Sequence, residues 1–284
     1  MEQRGVYMKQ RWLDSAVFYE VYPTSFYDAN GDGVGDISGI IEKLDYISDL
    51  GCNAIWLNPH YTSPFMDGGY DVSDYYNTDP RFGTNEDMKR LFDIIASGCG
   101  LLVLSPIFLI MVIWIKLDSK GPVFYRQVRV GRHNKDFRIF KFRSMRVGAD
   151  KGSLVTIGGR DPRITRSGYF IRKYKLDEFP QLINVFKGEM SLVGPRPEVR
   201  YYVNYWTPEQ MYVLDVRPGI TDPASIKFRN ENELMEKAED PEDYYINVIM
   251  QEKIKLYLEY VQNVSFWYDI KLIFQTFKVI ITER

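Results

Sequence analysis

The stretch Leu91–Leu117, LFDIIASGCGLLVLSPIFLIMVIWIKL, constrains the fold more than any other part of the chain. Its roughly 27 residues carry two charges, Asp93 near the start and Lys116 near the end. At about 1.5 Å per residue, a helix of this length crosses a hydrocarbon core of about 30 Å. Ser105-Pro106 interrupts the run, and a proline inside a helix removes a hydrogen bond and kinks the axis. Both flanks are basic, with Lys89 and Arg90 before and Lys116, Lys120, Arg126 and Arg129 after. A spanning helix keeps its positive excess on one side, so this pattern favours a broken helix that dips into the membrane and returns to the cytoplasmic face. A straight span is the rival arrangement. A buried core helix suits so long an apolar run poorly.

Downstream, Lys175–Glu198 reads KLDEFPQLINVFKGEMSLVGPRPE. Adjacent carboxylates Asp177 and Glu178 open a short apolar-periodic helix, with Asp177 in the N-cap position, Gly188 at the stop and a Gly194-Pro195-Arg196-Pro197 turn beyond. An acid pair held this way can ligate a divalent cation or attack phosphorus. The plainer alternative is a capping Asp with a solvated neighbour. Around it lie Arg160, Arg163, Arg166, Arg172, Lys173 and Lys175, and Arg138–Met145 reads as an alternating strand with cations on one side. Such a patch suits a ligand with several phosphates, because guanidinium donates paired hydrogen bonds to their oxygens. The patch is local. The whole chain has a net charge of −2 and no nucleic-acid motif, so nucleic acid is not the expected partner.

Residues from about Met88 onward resemble the bacterial sugar transferases, the monotopic polyprenol-phosphate phosphoglycosyl transferases. The matching stretches are Lys89–Asp93, Ser105-Pro106, Gly121–Phe124, Lys141–Met145, Leu176–Glu178, Ser191–Pro197 and Val216–Thr221. The resemblance implies transfer of a sugar 1-phosphate from a UDP-sugar to polyprenol (undecaprenyl) phosphate, releasing UMP. This is the first membrane step of assembling a capsule, O-antigen, exopolysaccharide or glycoprotein glycan, at the cytoplasmic face of a bacterial membrane. It further implies Asp177 as nucleophile, Glu178 as second member of a dyad with Mg²⁺, and a covalent aspartyl phosphosugar. Lys141 and Arg196 match positions near the phosphates, Arg172 one near the lipid phosphate, and Arg217 one near the nucleotide. Ser105-Pro106 matches the helix break. Relatives continue Gly-Trp-Ala-Gln where this chain has Asp222-Pro223-Ala224-Ser225, and some carry an Asp near Tyr257 and Glu259. These departures bear on sugar specificity. Val264–Ile281 is amphipathic and suits either the headgroup layer or a core-facing helix.

Trp12 to about Asp87 resembles the start of the α-amylase superfamily, near oligo-1,6-glucosidases and trehalose synthases. The resemblance rests on Val17–Pro23, Asp28–Asp36, Leu50–Pro59, Gly69-Tyr70-Asp71 and Phe82-Gly83-Thr84. The Asp28–Asp36 loop alternates oxygen ligands around small residues as a Ca²⁺ loop does. Asp28, Asn30, Asp32 and Asp36 would give side chains and Val34 a carbonyl. Tyr70, Asp71 and His60 resemble sugar-pocket positions. A (β/α)₈ barrel needs eight units and a glycosidase needs a carboxylate pair, which in this family lies on later strands absent here.

The expected architecture is therefore an incomplete barrel fragment at 1–88, followed by an α+β, membrane-associated monotopic transferase domain at 89–284, with 91–117 as its re-entrant helix. The join at Met88–Asp93 suits both families and is consistent with recombination, gene fusion or an assembly artefact. The competing reading is a non-catalytic fusion whose amylase-like fragment binds carbohydrate or Ca²⁺. Cys52 and Cys99 lie in different halves, which argues against a structural disulfide. Aromatic residues make up 15% of the chain, in keeping with interfacial anchoring to membrane lipids.

Overall fold

The structure, a computed structural model, describes residues 13–149, 161–229, 231–236 and 238–282. Trp12 and Arg160 lie outside the described residues. The chain divides into two units, Met1–Leu91 and Phe92–Arg284.

In the first unit, strand Phe18–Val21 pairs in parallel with Ala54–Leu57, Phe18 opposite Ala54 and Val21 opposite Leu57. Parallel strands need a crossover, supplied by helices Ile37–Glu42 and Leu44–Asp49. Asp36 starts the first of these by accepting the Gly39 amide at 2.6 Å. A Cβ on Gly39 would stand 2.0 Å from the Tyr27 carbonyl oxygen, so only glycine fits there. Val21, Ile37, Ile40, Ile47, Phe82 and Leu91 form the core. Tyr61–Thr62 and Asp74–Thr78 add a short antiparallel pair. Trp56, in the second parallel strand, is 60% exposed.

A helix runs from Asn85 to Asp118, with Pro106 inside it. Where the sequence predicts a break, helix continues. Pro106 has no N–H for the Leu102 carbonyl four residues back, and Ser105 Oγ donates to that oxygen at 2.7 Å. The serine thus satisfies the carbonyl that the proline orphans. The helix is long and apolar enough to cross a membrane, and its most apolar window has a mean hydropathy of 2.5 with 11% of it buried. Leu102, Val103, Leu109 and Leu117 are exposed. A stripe spaced three and four apart, Phe108, Met111 and Ile115, packs on Phe142 and Ile171.

The C-terminal end of this helix is fastened twice. Arg143 donates to the carbonyls of Lys120 and Ser119 at 2.6 and 2.8 Å. Asp118 Oδ2 accepts the Ser167 amide at 2.9 Å at the start of helix Arg166–Lys173. Cations suit helix C-termini and anions suit N-termini.

The rest of the second unit is α+β, with short paired strands among helices. Phe124–Tyr125 pairs antiparallel with Lys141–Phe142, Val128–Val130 pairs antiparallel with Asp136–Arg138, and Ser191–Val193 pairs in parallel with Gly219–Thr221. The single strand expected over Arg138–Met145 is therefore two strands in different sheets. The chain changes partner between them, the Ile139 amide donating to Gln127 O and the Phe140 amide to Asn184 Oδ1. Tyr202, Val213, Ala224, Met235, Ile249 and Ile254 anchor a core under helix Met250–Gln262. In the last helix, Phe266–Thr282, Leu272 is buried whereas Trp267, Phe274 and Phe277 remain exposed. Cys52 and Cys99 are both free thiols.

Asp93 is buried, and its Oδ1 accepts the Leu192 amide at 3.0 Å, joining the long helix to strand Ser191–Val193. Asp93→Ala removes that acceptor and should cost about 1–3 kcal/mol, seen as a lower thermal-unfolding midpoint of the detergent-purified protein. An unchanged midpoint would mean that this tie contributes nothing.

Candidate active site

Three segments distant in sequence meet at one carboxylate. Glu178 Oε1 accepts Lys141 Nζ at 3.0 Å and also Arg196 Nη2, while Oε2 accepts Arg196 Nη1 at 3.2 Å. Lys141 arrives on the strand paired with Phe124–Tyr125. Arg196 arrives on the Gly194–Pro197 turn, which is tied to the Val216–Thr221 segment. Gly194 N donates to Thr221 O at 3.0 Å, and Gly219 N to Pro195 O at 2.9 Å. This approach needs two glycines, since a Cβ on Gly219 would lie 2.1 Å from Gly194 N.

The acids do not cap a helix. Lys175 adopts a left-handed conformation, φ 55°, and Leu176–Glu178 forms a 3₁₀ turn. The α-helix begins only at Gln181, behind Pro180. The helix start expected at Asp177 is displaced because the left-handed Lys175 and Pro180 divide the segment. Gly188 is where the sequence places it, past the helix end with φ +80°, its amide donating to Val185 O at 2.9 Å.

Asp177 differs from its neighbour. Its Oδ1 is buried and has no hydrogen-bond partner among the described residues. Burial raises its carboxyl above the usual range, the charge on Glu178 raises it further, and Lys141, Arg172 and Lys175 pull the other way. Burial would raise Glu178 too, but Arg196 and Lys141 outweigh it by charge and hydrogen bond and hold Glu178 well below its usual range. The same ion pair raises Arg196, whereas burial lowers Lys141. The pair thus splits into one fully ionised, doubly clamped acid and one carboxyl with an open oxygen.

Both acids line a cleft of about 1090 Å³ with Lys141, Arg163, Arg172, Lys173, Lys175 and Arg196. Arg172 is where the sequence expects it. Arg217 is not among the lining residues, and its Nε donates to Gly188 O at 3.2 Å. Arg138 and Arg166 are also outside the lining, and Arg143, although in it, is committed to the helix end. Sequence reasoning gave no site role to Arg129, Glu198, Tyr202, Glu231, Tyr245 or Lys253, which share the cleft. Only Glu198, directly after the Pro195-Arg196-Pro197 turn, carried a signal that could have flagged it.

With both Glu178 oxygens bonded to Lys141 and Arg196, the buried, unpartnered Asp177 Oδ1 is the oxygen the pair offers to Mg²⁺, which is commonly held by one or two carboxylates together with substrate phosphates. The Asp28–Asp36 loop is different. Asp28 accepts the Gly31 and Gly33 amides at 2.7 Å each, Asn30 the Asp32 amide at 2.9 Å, Asp32 the Val34 amide at 2.8 Å and Asp36 that of Gly39 at 2.6 Å. Among the described residues, no three or more His, Cys, Asp or Glu side chains gather to hold a metal. Ca²⁺ takes six to eight oxygens, and the loop, turned onto its own amides, does not preform that cage. Asp71 accepts from Ser63 Oγ at 2.6 Å, Tyr70 is exposed and His60 is buried.

Residues 84–283 match the bacterial sugar transferase family, and residues 20–101 match the α-amylase catalytic domain. A UDP-glucose:undecaprenyl-phosphate glucose-1-phosphate transferase of Escherichia coli (strain K12) is 38% identical over 247 residues, 83% of this chain and 50% of the relative. A UDP-N-acetylgalactosamine-undecaprenyl-phosphate N-acetylgalactosaminephosphotransferase of Aeromonas hydrophila is 40% identical over 198 residues, 69% of this chain and 44% of the relative. The chain spans about half the length of these two transferases. An oligo-1,6-glucosidase of Heyndrickxia coagulans is 57% identical over 82 residues, 29% of this chain and 15% of the relative.

The raised Asp177 carboxyl has a consequence for stability. Folding favours its neutral form, so its contribution is fully present below the unfolded value of about 3.9 and is lost as pH rises through the folded one. Asp177→Asn is neutral at every pH. It should melt above the wild type at pH 8, with the difference shrinking toward pH 4, in parallel thermal-unfolding series. Identical pH dependence of the two proteins would refute the raised carboxyl.

Proposed function

The chain belongs to the bacterial sugar transferase family, and from that membership we propose that it transfers a sugar 1-phosphate from a UDP-sugar to a polyprenol phosphate, releasing UMP. The observation that carries this reading is the open, buried Asp177 oxygen in a cation-lined cleft. The Asp177 carboxylate attacks the phosphorus that bears the sugar, the bond from that phosphorus to the bridging oxygen breaks, and UMP leaves with the electron pair. An oxygen of the lipid phosphate then attacks the same phosphorus and frees Asp177. Arg172 and Lys175 favour the ionised, attacking form of Asp177. Lys141 and Arg196, fixed by Glu178, bring positive charge to the transferring group. Mg²⁺, held by Asp177 and Glu178 with the donor phosphates, would supply further neutralisation. The barrel-like unit contributes no group to this chemistry. It holds two parallel strands where a closed barrel needs eight, and we assign it no hydrolase activity.

The membrane arrangement we propose is re-entrant at the cytoplasmic face. At about 1.5 Å per residue, the helix Asn85–Asp118 is about 50 Å long, more than a hydrocarbon core of about 30 Å requires. The basic flanks and the proline inside the helix support a helix that bends within the bilayer.

With donor alone, the wild type should release UMP and gain the mass of a phosphosugar. Asp177→Asn should lose transfer of radiolabelled sugar phosphate to polyprenol phosphate by at least about 10³-fold. EDTA should stop the reaction and Mg²⁺ restore it, with Asp28→Ala without effect. An active D177N enzyme ends the assignment. For topology, an impermeant thiol reagent added to intact cells should reach neither a cysteine placed before residue 91 nor one placed after residue 117. Pro106→Ala should straighten the helix and expose one of them. Labelling of either flank in the otherwise wild-type chain would favour the straight span.

A further inference from the structure

A second polar group lines the same cleft, and none of the chemistry above uses it. Glu198, Tyr202, Glu231, Tyr245 and Lys253 come from four separate stretches of the second unit. The Tyr245 hydroxyl donates to Glu198 Oε2 at 2.5 Å, and Arg129 Nη1 reaches Glu198 Oε1 at 3.4 Å. Lys253 Nζ donates to Glu231 Oε2 at 2.6 Å and lies 5.2 Å from the centre of the Tyr245 ring. These charges are paired with one another. Tyr202 is not paired. Its ring packs 4.8 Å from that of Tyr245, the residue is 5% exposed, and its hydroxyl is buried without a hydrogen-bond partner among the described residues. A buried hydroxyl without a partner destabilises the free protein, and a bound ligand with a complementary group would relieve it.

The charges of the group are balanced in pairs, Arg129 with Glu198 and Lys253 with Glu231, so it offers no excess positive charge to a phosphate and suits a neutral polyol. Glu198 and Glu231 have further acceptor capacity for hydroxyls, the Tyr202 hydroxyl and the remaining Lys253 protons can donate, and aromatic rings cover the apolar face of a pyranose. Burial pushes the Tyr202 hydroxyl up to about 12 and Tyr245 well above its usual range, so both stay protonated at neutral pH, Tyr245 with its proton on Glu198.

We propose that Glu198, Tyr202, Glu231, Tyr245 and Lys253 form the subsite that binds the sugar ring of the donor and sets which sugar is transferred. The assignment rests on the transferase reaction proposed above. It places sugar choice on residues that leave the acid pair and its cations untouched, so one phosphoryl-transfer site can serve different sugars.

The test uses the full chain in detergent with polyprenol phosphate. Its donors are UDP-glucose, UDP-galactose, UDP-N-acetylglucosamine and UDP-N-acetylgalactosamine, and product inhibition by UMP is measured alongside. Tyr202→Phe keeps the ring and removes a hydroxyl that holds no bond in the free protein, so it should fold and melt at or above the wild-type temperature. Glu231→Gln keeps the shape and removes the charge. Each should change the ratio of kcat/KM between at least one pair of donors epimeric at a single hydroxyl by about tenfold or more, with UMP inhibition held within about twofold. Equal loss on every donor, or unchanged ratios in both variants, overturns the assignment and leaves the reaction standing. UMP affinity falling in step with activity overturns it in favour of a nucleobase site. A wild type that transfers from none of the donors overturns the reaction and the subsite together.

Discussion

The clamp on Glu178 is the constraint from which the rest of the second unit follows. A buried carboxylate is costly unless it is paired and hydrogen-bonded, and here one acid takes up both Lys141 and Arg196. Each cation alone would also be costly to bury. The three groups pair at the point where the Lys141–Phe142 strand, the Leu176–Glu178 turn and the Gly194–Pro197 turn converge, and they leave one net positive charge there. Asp177 is carried into the same place as the next residue in the chain, but no cation is left to bond its Oδ1. Glu178 takes the direct bonds to both cations while Asp177 is left with burial and the charge on its neighbour, which is why two adjacent acids acquire opposite shifts.

The same unit fastens its apolar helix to this site through its polar C-terminal end as well as through the stripe that packs on Phe142 and Ile171. Arg143 binds the carbonyls at the helix terminus, and Asp118 binds the start of Arg166–Lys173. Residues in both contacts adjoin site residues in sequence: Arg143 follows Lys141 by two positions, and Arg172 lies on the helix that Asp118 starts. The middle of the long helix stays largely uncovered by protein. That division is physically consistent with a helix whose middle faces lipid and whose end sets the height of the cleft above it, where a lipid-linked phosphate would present itself.

Much of the site was legible in the sequence because the informative residues come in short, locally determined motifs. Asp177, Glu178, Lys141, Arg172 and Arg196 all reach the cleft. What was misread depended on partners far along the chain. Arg138–Met145 alternates as a strand should, yet Asn184, a buried amide more than forty residues on, takes the Phe140 N–H and divides it in two. The Asp177 cap failed because αL geometry at Lys175 is seldom expected of a lysine. At Ser105-Pro106, where a break was expected, the helix continues and the side chain of Ser105 takes up the carbonyl that the proline leaves without a donor. Tyr202, Glu231 and Lys253 left no sequence signal, since tyrosines and charged residues on helices are ordinary until the fold gathers them.

The N-terminal unit shows how far local sequence can specify structure without specifying function. Its βαβ crossover, the Asp36 cap and the close approach at Gly39 are all determined within about forty residues, so they form although the later strands of a barrel are absent. Barrel strands are ordinarily covered on both faces, but here Trp56 and Phe18 remain exposed on the two strands present. Catalysis in such a barrel needs carboxylates carried by strands that close the ring, which no local rule can supply. The acid pair and the cations around it need only the second unit, and every residue that lines their cleft lies beyond Leu91.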